Sequence, residues 1–283
     1  MNPILQWLDY YLIPQRPNLH TKNSVVWVSD MRVREGIILA AGEGSRLRMY
    51  YRVPKPFAPL GRIRMLYFPI FSLYRCGVRR FYIVVRESTK RYASRLIHRL
   101  HDAESVIIVN REPRRENGYS LYLGVKNVED DLFFVSMGDH IYTPSIPRRL
   151  LGCAGNADIV VAADSNPLYV DVEEATRILA IDGLVRNIGK NIHKFNYVDA
   201  GVFIMKKSVL RMLEELEKTR REFTVSTFIN TCIENGYVVR ICDVSGLPWL
   251  DVDTPKEVNK ILYGEAGSIV SAILDSLGEV REL

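Results

Sequence analysis

Short apolar runs alternate with stretches whose apolar residues recur every third or fourth position, from Gly36 almost to the end of the chain. The runs predict strands at Gly36–Ala40, Phe81–Val85, Ser105–Val109 and Leu132–Met137. Between them the helical period predicts helices around Tyr67–Cys76, Arg91–His101 and Ser120–Val128. Strands that are apolar at nearly every position need cover on both faces. The pattern therefore predicts an α/β fold of Rossmann-like type, a mixed and mostly parallel sheet with helices on both faces. The second half is less regular, with strands expected at Ile159–Ala163, Ile178–Ile181, Val198–Ile204 and Tyr237–Cys242. Helices are expected at Ser208–Leu216 and Val225–Asn235, and Thr254-Pro255 reads as the opening of another.

In such sheets ligands bind beyond the carboxyl ends of the strands, where the first run breaks into Leu39-Ala40-Ala41-Gly42-Glu43-Gly44. Gly42 and Gly44 let the backbone approach a ligand, and Arg46 and the proline-flanked Lys55 add positive charge, so the segment reads as a phosphate site. It is neither of two familiar phosphate loops. The third glycine of a dinucleotide fingerprint is missing, and no Gly-Lys-Ser/Thr tripeptide occurs. The run Leu132–Met137 ends at Gly138-Asp139, an aspartate at a strand tip beside that loop, which suits magnesium and its preference for hard oxygen ligands. Asp251 and Asp253, on alternate residues of an extended segment, can share one side of it and complete the ligand set.

Composition adds bounds. The 283 residues carry a formal charge of +5, and from Arg46 to Arg99 the only carboxylate is Glu87. A cleft gathering two phosphorylated substrates explains that bias as well as nucleic acid would. No aromatic RNA-binding motif, zinc finger or helix-turn-helix signature accompanies it, so no nucleic-acid partner is expected. Cys76, Cys153, Cys232 and Cys242 are scattered without a Cys-x-x-Cys pair and are expected as reduced thiols. His98 and His101 share a helical face that nothing completes as a metal site. Glutamine is absent after Gln15, a hint of heat adaptation. No apolar run is long enough to span a bilayer, and the first residues lack the features of a secretory signal, so a cytoplasmic location is expected.

The run LAAGEGSRL with its downstream Pro-Lys-Pro resembles the signature of sugar-phosphate nucleotidyltransferases. MGDHIY, YVDVEEATRI from Tyr169, Ile188-Gly189-Lys190, YVDAGVFIM from Tyr197 and WLDVDTP, in that order, resemble the CTP:inositol-1-phosphate cytidylyltransferases. The likeness extends from about Gly36 to Leu262. It implies the nucleotide-diphospho-sugar transferase fold and Mg2+-dependent transfer of CMP from CTP to inositol 1-phosphate. By that resemblance Arg46 orients the β- and γ-phosphates, Lys55 bridges the reacting phosphates, and Lys190 binds the acceptor phosphate. The nucleotide is expected along Leu39, Ala40, Ala41, Gly42, Glu43 and Gly44, with its base near Asn117, Gly118 and Ser120. Asp171, Glu174 and Asp199 are expected to grip polyol hydroxyls, and Asp139 with Asp251 or Asp253 to hold the metal.

Two departures bear on the acceptor: Arg177 stands where the family has Lys, and Asp199-Ala200-Gly201 where it has Asp-Thr-Gly. Other readings are transfer to a hexose 1-phosphate or phosphocholine, and a non-catalytic nucleotide-sensing subunit. The implied organisation is an extension at 1–31, a nucleotidyltransferase domain at 32–264, and a helix or tail at 265–283. Within the domain the nucleotide half is expected at about 32–150 and the acceptor half at about 151–264. Ile4, Leu5, Trp7, Leu8, Tyr11 and Leu12 would give the extension one apolar helical face, expected to pack on the body, and Met31 is an alternative start. A membrane phosphotransferase acting downstream and a second copy of the chain are candidate partners.

Overall fold

A computed structural model describes residues 33–48, 50–61, 63–97 and 103–277. The apolar face at Ile4–Leu12, the start at Met31, and His98 and His101 lie outside the described residues. Strands are β1 (Glu35–Ala40), β2 (Pro59–Leu60), β3 (Ile63–Arg64), β4 (Arg80–Arg86), β5 (Glu104–Asn110), β6 (Leu132–Met137), β7 (His140–Tyr142), β8 (Ile159–Asp164), β9 (Arg177–Ile181), β10 (Leu184–Gly189), β11 (Tyr197–Lys206), β12 (Val239–Asp243) and β13 (Trp249–Asp251). Helices are α1 (Ser45–Arg48), α2 (Tyr67–Tyr74), α3 (Lys90–Ile97), α4 (Glu116–Val125), α5 (Ser145–Cys153), α6 (Leu210–Thr219), α7 (Val225–Glu234), α8 (Pro255–Tyr263) and α9 (Gly267–Leu277).

Nine strands make one mixed sheet in the order β5-β4-β1-β6-β11-β8-β12-β10-β9, with helices on both sides. Its first half, β5, β4, β1 and β6, is parallel, as fully apolar strands joined by helices require. β11 runs antiparallel to β6 and β8, and β9 and β10 close the far edge antiparallel. All six positions of β1 and of β8 are buried.

Two apolar clusters flank the site. One joins Ile37, Leu121, Phe203, Leu213 and Phe228 beneath α4, α6 and α7. The other joins Leu47 behind the glycine turn to Ile141 on β7, Leu250 on β13, Val258 on α8 and Ile269 on α9. Each such side chain contributes roughly 1.5–3 kcal/mol when fully buried. The second cluster therefore fixes the turn against the segments that carry Asp139 and Asp251. α8 is started by a capping box in which Thr254 and Glu257 satisfy each other's backbone groups.

The structure departs from the sequence expectations in three places. α4 begins at Glu116 rather than near Ser120, so that Asn117-Gly118 lies in the helix's first turn. A Cβ on Gly118 would lie 2.5 Å from the Phe223 carbonyl oxygen, so a glycine there lets that turn pack on the neighbouring loop. α5, β10 and the β7–β13 ribbon were not foreseen, since their apolar runs are short. The expectation of four reduced thiols is also corrected. Cys153 at the end of α5 and Cys242 on β12 form a disulfide across a sequence separation of 89, while Cys76 and Cys232 are free. Local spacing rules cannot see a pair brought together only by packing of a helix on a strand.

Closing so long a loop restricts the unfolded chain, a constraint worth roughly 2–5 kcal/mol. Thermal melts with and without reductant are expected to show Tm falling on reduction, and Cys153→Ser with Cys242→Ser to reproduce the reduced value. Melts that ignore the reductant would show that the bond does not form.

Candidate active site

β1 delivers the chain to Ala40 at its carboxyl end, and the turn Ala41–Gly44 leads into α1. Gly44 takes φ +56°, and a Cβ there would overlap the side chain of Lys55. Only glycine permits this turn to lie directly on Lys55. Pro54 and Pro56 flank Lys55, the first residue of a short helical turn over Lys55–Phe57, and the lysine side chain is 6% exposed. Its Nζ donates to Asp139 Oδ2 at 2.7 Å and to Asp253 Oδ1, and lies 3.9 Å from Asp251 Oδ1. Arg46 completes the bridge, donating at 2.9 Å from Nη1 to Glu174 Oε2 and from Nη2 to Asp253 Oδ2.

The acidic side is built by a short ribbon. β7 pairs antiparallel with β13, so Asp251 stands opposite His140, and Val252 N–H donates to the Asp139 carbonyl at 3.1 Å. Gly138 N–H donates to the Leu39 carbonyl at 2.9 Å, which pins Asp139 to the start of the glycine turn. His140 Nδ1 lies 3.1 Å from Asp139 Oδ1 and 3.8 Å from Asp251 Oδ1. Its ring stacks on Trp249 with centroids 6.0 Å apart, and Trp249 Nε1 donates to the buried Asp164 Oδ2 at 2.7 Å. On β11, Gly201 takes φ +70°, and a Cβ there would overlap the His140 ring. Asp199 Oδ1 accepts from Gly201 N–H at 2.8 Å and holds that backbone in place.

Charges in this group shift one another. Burial works against the Lys55 ammonium, but Asp139, Asp251 and Asp253 overcome it and hold its pKa above the ordinary lysine value. Burial would raise the Asp139 pKa, yet Lys55 and His140 together hold that carboxyl well below the usual range. Burial pushes Asp199 and Asp251 up to about 6. His140 is raised to about 9, because Asp251, Asp139 and Asp199 outweigh the cost of burying its charge.

Asp139, His140 and Asp251 offer ligand atoms within 4.8 Å of one another and could hold a metal ion. The donor set fits: two carboxylates supply hard oxygens, and Asp251 Oδ1 is buried with no hydrogen-bond partner. Asp253 falls outside that group and serves Lys55 and Arg46 instead.

A cleft of 220 Å³ opens onto these groups. Asn117, Asp139, Glu174, Lys190, Asp199, Asp251 and Asp253 line it, together with His140, Ser226 and Trp249. Leu39 and Ala40 belong to β1, and Gly42 and Glu43 are exposed at the turn. Glu43 pairs with Arg86 at 3.2 Å. Gly118 and Ser120 are buried and do not line the cleft, Ser120 Oγ accepting from Asn110 Nδ2 at 2.9 Å. Asp171 is not in the cleft lining, and its Oδ1 accepts from Glu173 N–H. A larger depression of 580 Å³, between Arg111–Arg115 and Glu217–Arg221, contains none of the expected site residues.

Sequence reasoning missed His140, Trp249 and Asp164. The signals were present in MGDHIY and WLDVDTP, but only the ribbon pairing shows that His and Trp stack. The departures from the family pattern acquire structural partners: Arg177 Nη2 donates to Glu173 at 2.7 Å and its guanidinium lies over Phe195.

Removing Lys55 leaves the acidic cluster without its buried cation, so Lys55→Met is expected to cost roughly 3–5 kcal/mol of stability at neutral pH. The Asp139 pKa is depressed in the folded state, so its contribution is complete above the unfolded value near 4 and fades as pH falls through and below it. Denaturation across pH should show the gap between wild type and variant closing below about pH 4. A gap that does not change with pH would contradict the ion-pair account.

Residues 36–231 match the MobA-like NTP transferase domain family. The "Bifunctional IPC transferase and DIPP synthase" of Aquifex aeolicus is 33% identical over 229 residues, 81% of this chain and 51% of that protein. The protein of the same name from Rubrobacter xylanophilus is 34% identical, over 80% of this chain and 51% of its own length. The chain thus spans about half the length of the curated relatives it matches. Among solved structures, the inositol-1-phosphate CTP transferase from T. maritima superposes with TM-score 0.78 at 29% identity, over 86% of this chain and 97% of that one. A match over most of the chain, with a glycine turn packed on a buried lysine that pairs with the strand-tip carboxylates of the cleft, places this protein in the MobA-like NTP transferase family.

Proposed function

We propose that this chain transfers CMP from CTP to inositol 1-phosphate, giving CDP-inositol and pyrophosphate for di-myo-inositol phosphate synthesis. One observation carries the reading: a buried lysine stands between the glycine turn and the carboxylates of Asp139, Asp251 and Asp253. The names of the relatives supply the choice of nucleotide and acceptor.

In the reaction a phosphate oxygen of the acceptor attacks the α-phosphorus of CTP, and the bond to the β-phosphate breaks as pyrophosphate leaves. The attacking phosphate has its second pKa near 6 and is already mostly dianionic at neutral pH, so no general base is needed. The obstacle is repulsion between anions, and preorganised cations lower it most. Arg46 holds the β- and γ-phosphates, Lys55 stabilises charge at the reacting phosphate, and Lys190 at the cleft edge takes the acceptor phosphate. Asn117 faces the base, while Glu174 and Asp199 accept hydrogen bonds from the polyol. Asp139 and Asp251 would hold a magnesium ion, which supplies further neutralisation of the triphosphate when bound.

No helix among the described residues is long and apolar enough to cross a membrane. Both substrates are water-soluble, and the reaction is assigned to the cytoplasm. A phosphotransferase that displaces CMP from CDP-inositol is the expected consumer of the product.

Pyrophosphate release measured over four nucleotides and a set of phosphorylated acceptors is expected to be fastest for CTP with inositol 1-phosphate. Asp139→Ala should abolish turnover, and Arg46→Ala should lower it on the order of 10²–10³-fold. Turnover only with a hexose 1-phosphate or phosphocholine would overturn the acceptor assignment. No turnover with any pair would favour a nucleotide-sensing subunit.

A further inference from the structure

β10 approaches the cleft with one of its edges largely unpaired. On one side it follows β9 as far as Gly189, but on the other only Leu184 pairs with β12, opposite Arg240. A strand that continues past its partner leaves backbone donors and acceptors to be satisfied by other means. At Ile188 the side chain of Asn230 does so completely. Ile188 N–H donates to Asn230 Oδ1 at 3.0 Å, and Asn230 Nδ2 donates to the Ile188 carbonyl at 2.8 Å. Both ends of one amide are used, so the side chain imitates a missing strand and its orientation is fixed. The Ile188 side chain is 1% exposed in the main apolar cluster, so the strand cannot slide without opening a void. A register shift between Val185 and Asn187 bends β10 just before this point, as bulges beside binding sites often do.

Two residues beyond Ile188, Lys190 stands in the cleft lining. The helix that carries Asn230 begins at another part of the same lining. Val225 N–H donates to Asn117 Oδ1 at 2.9 Å, and Val225 and Ser226 line the cleft. A helix advances about 1.5 Å per residue, so α7 ties the wall beside Asn117 to the strand before Lys190 by a rigid rod of little more than one turn.

We propose that Asn230 is a positioning residue for the acceptor: through Ile188 it sets where Lys190 meets the acceptor phosphate. The inference rests on the reading of Lys190 as the acceptor-phosphate lysine. Asn230 does not line the cleft, and its whole effect passes through the strand.

The test is a double-mutant cycle read in steady-state kinetics with CTP and inositol 1-phosphate. Asn230→Ala is expected to raise KM for inositol 1-phosphate on the order of tenfold, with KM for CTP within about twofold of wild type. In a Lys190→Ala background the same change should add nothing. Should Asn230→Ala fail to fold, Asn230→Asp keeps the acceptor for Ile188 N–H, loses the donor to its carbonyl, and should show a smaller rise with the same non-additivity. An undiminished effect in the Lys190→Ala background, or an equal rise in KM for CTP, would show general loosening of the sheet and overturn the proposal alone. A Lys190→Ala enzyme with unchanged KM for inositol 1-phosphate would remove the underlying reading, and this proposal with it.

Discussion

One buried ammonium group, the Nζ of Lys55, stands among the carboxylates of Asp139, Asp251 and Asp253 at the carboxyl end of the sheet. Gathering so many charges out of water is unfavourable unless each has a partner, and none of these groups would be stable there alone. The lysine comes from the loop after β1, the carboxylates from the ends of β6 and β13 and the segment following. Their mutual attraction therefore joins segments far apart in sequence. The same arrangement has a chemical use. Under the proposed function, an incoming triphosphate would offer Lys55 phosphate oxygens in place of the carboxylates it now holds. Asp139 and Asp251 would then be free to hold a divalent ion. Binding would exchange one set of ion pairs for another rather than create charge in an empty cleft.

The rest of the fold serves this convergence. Parallel strands β1 and β6 deliver the glycine turn and Asp139 side by side, and the Gly138 bond to Leu39 fixes their spacing. The β7–β13 ribbon brings Asp251 across from His140. His140 is wedged between Trp249 and Gly201, and Trp249 is anchored on Asp164. That socket explains why glycine follows Asp199-Ala200: any side chain at Gly201 would strike the imidazole.

Much of this was legible in the sequence, because fully apolar strands, glycine turns and strand-tip aspartates leave strong local marks. β1, β4, β5, β6 and β8 fell where their runs put them, and the family resemblance agrees with the family match. What the sequence hid was long-range. The Cys153–Cys242 bond depends on packing of α5 against β12, and no spacing rule reports it. Asn117-Gly118 has the composition of a turn, yet tertiary contact with Phe223 makes it the start of a helix. His140 and Trp249 meet only because two three-residue strands pair, too short to announce themselves.

The central claim is that a nucleotide-bound metal and Lys55 exchange partners at one place. Anomalous diffraction from crystals grown with CTP and Mn2+ tests it directly. The account predicts a manganese peak ligated by Asp139 and Asp251, with Lys55 Nζ moved from Asp139 onto a phosphate oxygen. A peak remote from those carboxylates, or Lys55 still bound to Asp139 with nucleotide in the cleft, would contradict it.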